Sequence, residues 1–192
     1  MGPLLFIIYM NDVNVASNKF KAILYADDSN LASTLCSFDI PLNSNDFDRS
    51  VLGNNITSEL DKIHEWLQIN KLSLNVKKTK FMVFHNRQRN ISALIPSIHI
   101  NGQPIENVTE FNFLGLIIDQ HLNWEAHIQK TSNKISRALG IMYRLKRFLP
   151  RNILRLLYNS LILPHLQYCI MIWGYKSSRV AKLQKKCYSY FM

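Results

Sequence analysis

Two adjacent carboxylates, Asp27 and Asp28, follow Tyr25-Ala26 and lie between the apolar stretches 20–25 and 31–35. The stretches read as the strands of a β-hairpin, with the carboxylates at or beside its turn. Neighbouring carboxylates repel one another unless positive charge lies close by. A divalent cation such as Mg²⁺ meets that need, because it takes hard oxygen ligands. The chemistry that calls for such a pair is two-metal phosphoryl transfer, in which one ion activates the attacking oxygen and the other stabilises the leaving group. The plain alternative is a solvated Asp-Asp turn. Zinc chemistry has no comparable support: Cys36, Cys169 and Cys187 form no CxxC pair, and the six histidines fall into no ligand spacing.

The elements that must carry this turn follow from apolar periodicity. Pro3 suits a first helical turn, and residues 4–10 predict a short buried helix after it. That run has no basic lead-in and is too short to span a bilayer, so it is neither a signal peptide nor a membrane helix. Val51, Leu52, Ile56, Leu60, Ile63, Trp66 and Leu67 recur at helical spacing and predict an amphipathic helix over 47–69, with Gly53 inside it. Residues 80–85 predict a strand. Residues 98–100 and 105–108 predict a hairpin about Asn101-Gly102, a pair that favours tight hairpin turns. Residues 111–119 form a further apolar strand region, interrupted by Gly115. Beyond Asn123 the pattern turns helical, with expected helices over 124–148, 150–163 and from 177 onward, and boundaries at Pro150, Pro164 and Trp173-Gly174. An α+β portion over 1–120 thus precedes an all-helical portion over 124–192.

The charge divides in the same sense. Residues 1–60 carry three basic and seven acidic side chains, whereas 61–192 carry twenty basic and six acidic ones. After Glu125 there are thirteen basic residues and no acid. Such a tail suits a polyanion, either nucleic acid or an anionic membrane surface. Lys134, Arg137, Arg144, Lys146, Arg147 and Arg151 are candidate phosphate contacts within it. A merely solubilising basic surface is the plain alternative. The widely spaced cysteines are those of a reduced intracellular protein, placing it in the cytoplasm or nucleus.

Five segments in order resemble the reverse transcriptase domain of non-LTR (LINE-type) retrotransposons, most like the jockey-type elements of animals. Gly2-Pro3-Leu4-Leu5-Phe6 with Tyr9-Met10-Asn11-Asp12 resembles the helix after the family's Gln-Gly loop. Tyr25-Ala26-Asp27-Asp28 is similar to its metal-binding hairpin. Trp66, Asn70-Lys71-Leu72-Ser73-Leu74-Asn75 and Lys78-Thr79-Lys80 resemble the next palm motif. Phe113-Leu114-Gly115 with Ile118-Asp119 is similar to its primer-grip hairpin. Trp124, His127-Ile128, Leu149-Pro150, Leu157-Tyr158, Leu163-Pro164, Tyr168-Cys169 and Trp173-Gly174 resemble the helical region that includes the thumb.

The resemblance implies a partial polymerase palm, an antiparallel sheet with the YADD hairpin plus a helix, followed by a thumb-like helical region. It implies Mg²⁺ as cofactor, an RNA template, a DNA primer and deoxynucleotide triphosphates as partners, and no membrane. Asp27 would be a metal ligand and Asp28 a supporting carboxylate. Tyr25 and Ala26 would lie near the primer end or the incoming nucleotide, and Lys78 near the leaving triphosphate. Phe113, Leu114 and Gly115 would hold the primer backbone, Gly115 allowing close approach. Against these roles stand a solvated lysine for Lys78 and a buried strand for 113–115. The three tryptophans read as core anchors rather than base-stacking platforms.

The family's site also needs an aspartate on a strand upstream of the Gly2–Phe6 segment. The expectation is therefore an N-terminally truncated palm-and-thumb fragment with no polymerase activity by itself. The other readings are a non-catalytic nucleic-acid-binding remnant or domesticated module, and a decayed reading frame.

Overall fold

The computed structural model describes residues 2–26, 28–34, 49–88 and 95–191. The chain is α+β and divides into two compact units: Met1–Val83 with Arg87–Val108, and Phe84–Asn86 with Thr109–Met192. Each has its own core.

The first unit opens on helix α1 (Gly2–Met10), followed by a 3-10 turn over Asn11–Val15. Strands β1 (Lys21–Tyr25) and β2 (Asp28–Ala32) pair antiparallel, from Lys21 opposite Ala32 to Tyr25 opposite Asp28. Helix α2 runs over Arg49–Ile69. Its residues Leu52, Leu60 and Ile63 are buried at helical spacing, and Leu60 joins Ile98, Ile100 and Ile105 in the core. Phe20, Leu31, Ile56, Leu74 and Phe81 pack around that cluster.

Gly53 lets α2 approach the chain at 96–97: a Cβ there would sit 2.9 Å from the Ser97 carbonyl oxygen. The helix stops at a left-handed residue, Lys71 (φ 56°). There Leu72 N–H donates to Leu67 O (2.8 Å) and Lys71 N–H to Gln68 O (2.9 Å), the paired bonds of a Schellman cap.

The remaining strands of this unit are short: β3 (Lys80–Phe81), β4 (His99–Ile100), β5 (Gln103–Pro104) and β6 (Glu106–Asn107). Among the described residues of the whole chain, strands form separate pairs, three antiparallel and one parallel, rather than one antiparallel sheet. The parallel pair joins β3 to β6, backed by a 2.8 Å ion pair between Lys80 and Glu106.

Three expectations are corrected here. The strand expected over 80–85 ends at Phe81, because the chain leaves the unit and His85 N–H donates to Gln120 O (3.2 Å) instead. The hairpin about Asn101-Gly102 forms, with both residues at positive φ (49° and 72°) and Ile105 N–H donating to Ile98 O (2.9 Å), but its pairing starts at Ile100–Gln103 and does not extend to 106–108 as expected. A two-residue turn joins the residues that flank it directly, which frees Glu106 and Asn107 to pair with β3. Helix α1 forms but is not buried: Leu4, Leu5, Ile7 and Ile8 are 61–65% exposed. It is apolar on every side, and among its described side chains only Met10 is fully buried.

The second unit begins with a hairpin, β7 (Glu110–Phe113) and β8 (Leu116–Asp119), turning at Leu114-Gly115. Helices α3 (Glu125–Leu145), α4 (Arg151–Leu161), α5 (Leu163–Gln167), α6 (Ile170–Trp173) and α7 (Ser178–Phe191) follow, with a 3-10 turn over Gly174–Lys176. Trp124, Ile135, Met142, Leu154, Tyr158, Ile162, Trp173 and Val180 form the core. Leu116 and partly buried Ile118 join it, so the β7–β8 hairpin is built onto these helices. The buried side of α3 is less aliphatic than its periodicity suggests: His127, Thr131 and Ser132 line it beside Ile135 and Met142. Trp124 and Trp173 are core anchors, and Trp66 is half-buried.

Candidate functional site

In the β1–β2 register Tyr25 pairs with Asp28, the last pairing before a tight loop that Ala26 opens. Such loops twist correctly only when the first loop residue, or both, adopts positive φ. Ala26 does so at 51°. An alanine pays about 1–2 kcal/mol for that geometry, since its Cβ crowds the following carbonyl. Asp27 lies outside the described residues. Asp28 opens β2 directly opposite Tyr25, and Tyr25, Ala26 and Asp28 are all exposed. On β1 the side chains alternate, with Ala22 and Leu24 half-buried and Lys21, Ile23 and Tyr25 outward.

Lys78 is exposed in the turn before β3. Asn75 organises that turn: its carbonyl accepts from Lys78 N–H (3.0 Å), Thr79 N–H (3.1 Å) and the Thr79 hydroxyl (3.0 Å). Its side-chain oxygen accepts from Lys78 N–H as well (3.3 Å). No hydrogen bond or ion pair links the Lys78 ammonium to Asp28. The hairpin thus brings Tyr25, Ala26 and Asp28 together, while Lys78 stands on a separate turn of the same unit. Among the described residues, no group of three or more His, Cys, Asp or Glu is placed to hold a metal ion.

In the second unit, Leu114 (φ 47°) and Gly115 (φ 88°) form a two-residue loop, both in the left-handed region. Phe113 is half-buried and Leu114 is exposed. The six basic candidates, Lys134, Arg137, Arg144, Lys146, Arg147 and Arg151, are all exposed. Lys134, Arg137 and Arg144 share one stripe of α3 with exposed Lys130, because offsets of four, seven and fourteen residues return to one helix face. Lys146 and Arg147 follow the helix end, and Arg151 begins α4. An open cavity of about 380 Å³ in this unit is lined by Asn123, Glu125, Ile128, Gln129, Lys176 and Arg179, and by none of the predicted site residues.

Three residues with defined roles escaped sequence reasoning. Asp119 Oδ1 accepts the N–H groups of His121 (3.0 Å) and Asn123 (3.0 Å), and Oδ2 that of Trp124 (2.7 Å). Burial pushes its pKa up, but these N–H bonds outweigh it and hold the carboxyl below its ordinary value. His127 accepts Ile117 N–H at Nδ1 (3.3 Å), which leaves Nε2–H facing the Thr131 hydroxyl (3.4 Å). Burial, and then repulsion from Lys130 and Lys134, lowers its pKa, so the ring is neutral. Tyr168 donates its phenol to the Leu114 carbonyl. Only an acid, a histidine and a tyrosine near the turns were visible in the sequence; the Asp119 bonds depend on the conformation of the 119–124 connection, and Tyr168 reaches its partner across 54 residues.

Residues 1–118 match the family model described as "Reverse transcriptase (RNA-dependent DNA polymerase)". The chain is 25% identical over 187 residues to the "RNA-directed DNA polymerase from mobile element jockey" of Drosophila funebris, covering 91% of this chain and 18% of that protein. It is 22% identical over 188 residues to the protein of the same description from Drosophila melanogaster, again covering 91% of this chain and 18% of that protein. The chain therefore spans about 18% of the length of the curated relatives it matches. No solved structure matches it. Among the described residues, no helix is long and apolar enough to cross a membrane.

Proposed function

The chain belongs to the reverse transcriptase (RNA-dependent DNA polymerase) family, and from that premise we propose that it is part of the RNA-directed DNA polymerase of a jockey-like non-LTR retrotransposon. The parent enzyme would copy an RNA template from a DNA primer, consuming deoxynucleotide triphosphates by two-metal nucleotidyl transfer. The observation that carries this reading is the β1–β2 hairpin, whose tight loop puts Asp28 at the surface next to Asp27 within the matched residues.

Asp27 is the metal ligand in this proposal and Asp28 the supporting carboxylate. Their oxygens suit Mg²⁺, which is commonly bound through one or two carboxylates and keeps several waters. When bound, the ion supplies positive charge to the reacting phosphate. Among the described residues, no group of three or more His, Cys, Asp or Glu stands ready to hold a metal ion, so further ligands to these ions would come from the rest of the parent enzyme. Tyr25 and Ala26 face the primer end or nucleotide, Lys78 the leaving triphosphate, and Phe113-Leu114-Gly115 the primer backbone. Residues 1–120 act as a palm portion and 124–192 as a thumb-like portion. Lys134, Arg137, Arg144, Lys146, Arg147 and Arg151 follow nucleic-acid phosphates, which their exposure permits.

The basic stripe of α3 would equally serve a non-catalytic nucleic-acid-binding module, so the test must separate the two. A labelled RNA–DNA template–primer is titrated with the chain, with and without Mg²⁺. If six or more phosphates are neutralised, affinity falls by about 10³-fold or more between roughly 50 and 200 mM salt. At constant ionic strength, the double variant Asp27→Asn, Asp28→Asn removes any Mg²⁺-specific gain in affinity and leaves the salt slope unchanged. Salt-independent binding overturns the nucleic-acid role. A Mg²⁺ response that survives the double variant leaves the binding module and removes the polymerase site.

A further inference from the structure

The Leu114-Gly115 turn is anchored from behind at two points, and both anchors lead to one aromatic cluster. On the near side, the Tyr168 phenol donates to the Leu114 carbonyl. The same ring covers Gly115: a Cβ added there would lie 3.8 Å from the ring carbon Cε1 and from the phenol oxygen. On the far side, Ile117 N–H in β8 donates to His127 Nδ1 (3.3 Å). The two anchors meet at Trp173. Its indole N–H donates to the Tyr168 carbonyl (2.9 Å), and its ring packs on His127 with centroids 5.4 Å apart.

This arrangement holds geometry that its residues do not favour alone. Leu114 sits at φ 47° and Cys169, the neighbour of Tyr168, at φ 52°. Neither is a glycine or asparagine, so both need surroundings that over-determine them. Trp173 is wholly buried, which makes it a fixed base. Tyr168 is 46% exposed, and its hydroxyl donates to a turn carbonyl.

We propose that Tyr168 is a positioning residue for the primer: it fixes the Leu114-Gly115 backbone in the orientation that meets the primer strand. This rests on the reading of that turn as a primer contact. Tyr168 touches no nucleic acid itself in this role. It acts through the Leu114 carbonyl, with Trp173 and His127 as its support.

The test is hydroxyl-radical footprinting of an RNA–DNA template–primer on the full chain, with thermal unfolding measured in parallel. Tyr168→Phe keeps the ring over Gly115 and removes only the phenol donor. The expected result is at least a several-fold loss of protection at the primer's terminal sugars, with protection by the basic helices retained. A second variant guards against simple loss of fold. Met142→Ala weakens the core of the same unit without touching the turn, so under conditions where both variants are folded it keeps the terminal protection that Y168F loses. Unchanged terminal protection in Y168F, where the wild-type chain protects those sugars, overturns the positioning role and leaves the primer contact standing. An equal loss of terminal protection in Met142→Ala also overturns positioning through the turn. Absence of any protection by the wild-type chain overturns the primer reading itself, and this inference with it.

Discussion

The Asp119 carboxylate lies 2.7 Å from the backbone nitrogen of Trp124 and closes the entrance to α3. Trp124 sits there at φ 62°, a left-handed N-cap with no side-chain bond of its own. Asp119 thus accepts from the N–H of the N-cap residue itself, the bond that the N3 side chain of a capping box would otherwise make. Its two other N–H bonds, from His121 and Asn123, fix the connection between strand and helix.

Replacing Asp119 with alanine should destabilise the second unit by about 1–3 kcal/mol, since backbone donors lose a charged acceptor. Thermal unfolding checks this. The sign of the pH effect follows from the lowered carboxyl pKa. The stabilisation is complete above the ordinary carboxylate value of 3.8 and is lost as pH falls through the lower folded value. Asp119→Ala should flatten the acid limb of the unfolding curve.

His127 should make a separate, milder pH limb. Burial, then Lys130 and Lys134, lowers its pKa from 6.5, so the unfolded chain takes up a proton before the folded chain does. Stability is complete above about 6.5 and declines below it, levelling only beneath the folded value. His127→Gln retains a side-chain acceptor for Ile117 and should remove this limb. Unfolding midpoints between about pH 8 and about pH 5, a range that spans an ordinary histidine, read it out.

Two substitutions on α2 should move stability in opposite directions. Gly53→Ala gains up to about 1 kcal/mol of helix propensity. It also drives a methyl to 2.9 Å from the Ser97 carbonyl, a backbone atom that cannot turn aside. The net effect should be a loss of about 1–2 kcal/mol. Lys71→Gly relieves a left-handed lysine at the Schellman cap and should gain up to about 1 kcal/mol. Denaturant midpoints of the two variants, compared with wild type, decide both signs.

Charge reversal along α3 should act on nucleic-acid affinity without sequence preference. Lys134→Glu, Arg137→Glu and Arg144→Glu each remove one candidate phosphate contact, so each should reduce the salt slope by about one. The loss should be uniform across sequences, because phosphate contacts carry no base information. Equal slopes in wild type and the triple variant would remove this face from the interface.

Local signals carried much of the fold. The Leu52, Ile56, Leu60, Ile63 spacing specified α2, and Asn101-Gly102 specified its turn. What failed depended on partners. The hydropathy of 4–10 specified a helix but not what covers it, and Leu4, Leu5, Ile7 and Ile8 are outward in this chain. Residues 82–85 are strand-like, yet the backbone of His85 bonds Gln120. Gly115 read as an interruption because a hairpin turn inside one apolar run leaves no polar punctuation. At the candidate site, the adjacent Asp27 and Asp28 were legible as a dipeptide. The support of the second turn was not, because Tyr168 lies 54 residues from Leu114.

The route of the chain through Phe84–Asn86 limits how the protein can be cut. That tripeptide belongs to the second unit while the residues on both sides belong to the first. No single break in the polypeptide yields both units intact. A fragment starting at Thr109 lacks His85, whose ring stacks edge-on against His121 with centroids 4.5 Å apart and whose carbonyl lies 3.1 Å from His121 Nδ1. On a ribosome, this segment of the second unit is made before the rest of that unit exists to receive it. Expression of separate halves, a routine way to map such proteins, would sever that segment from the helices it serves.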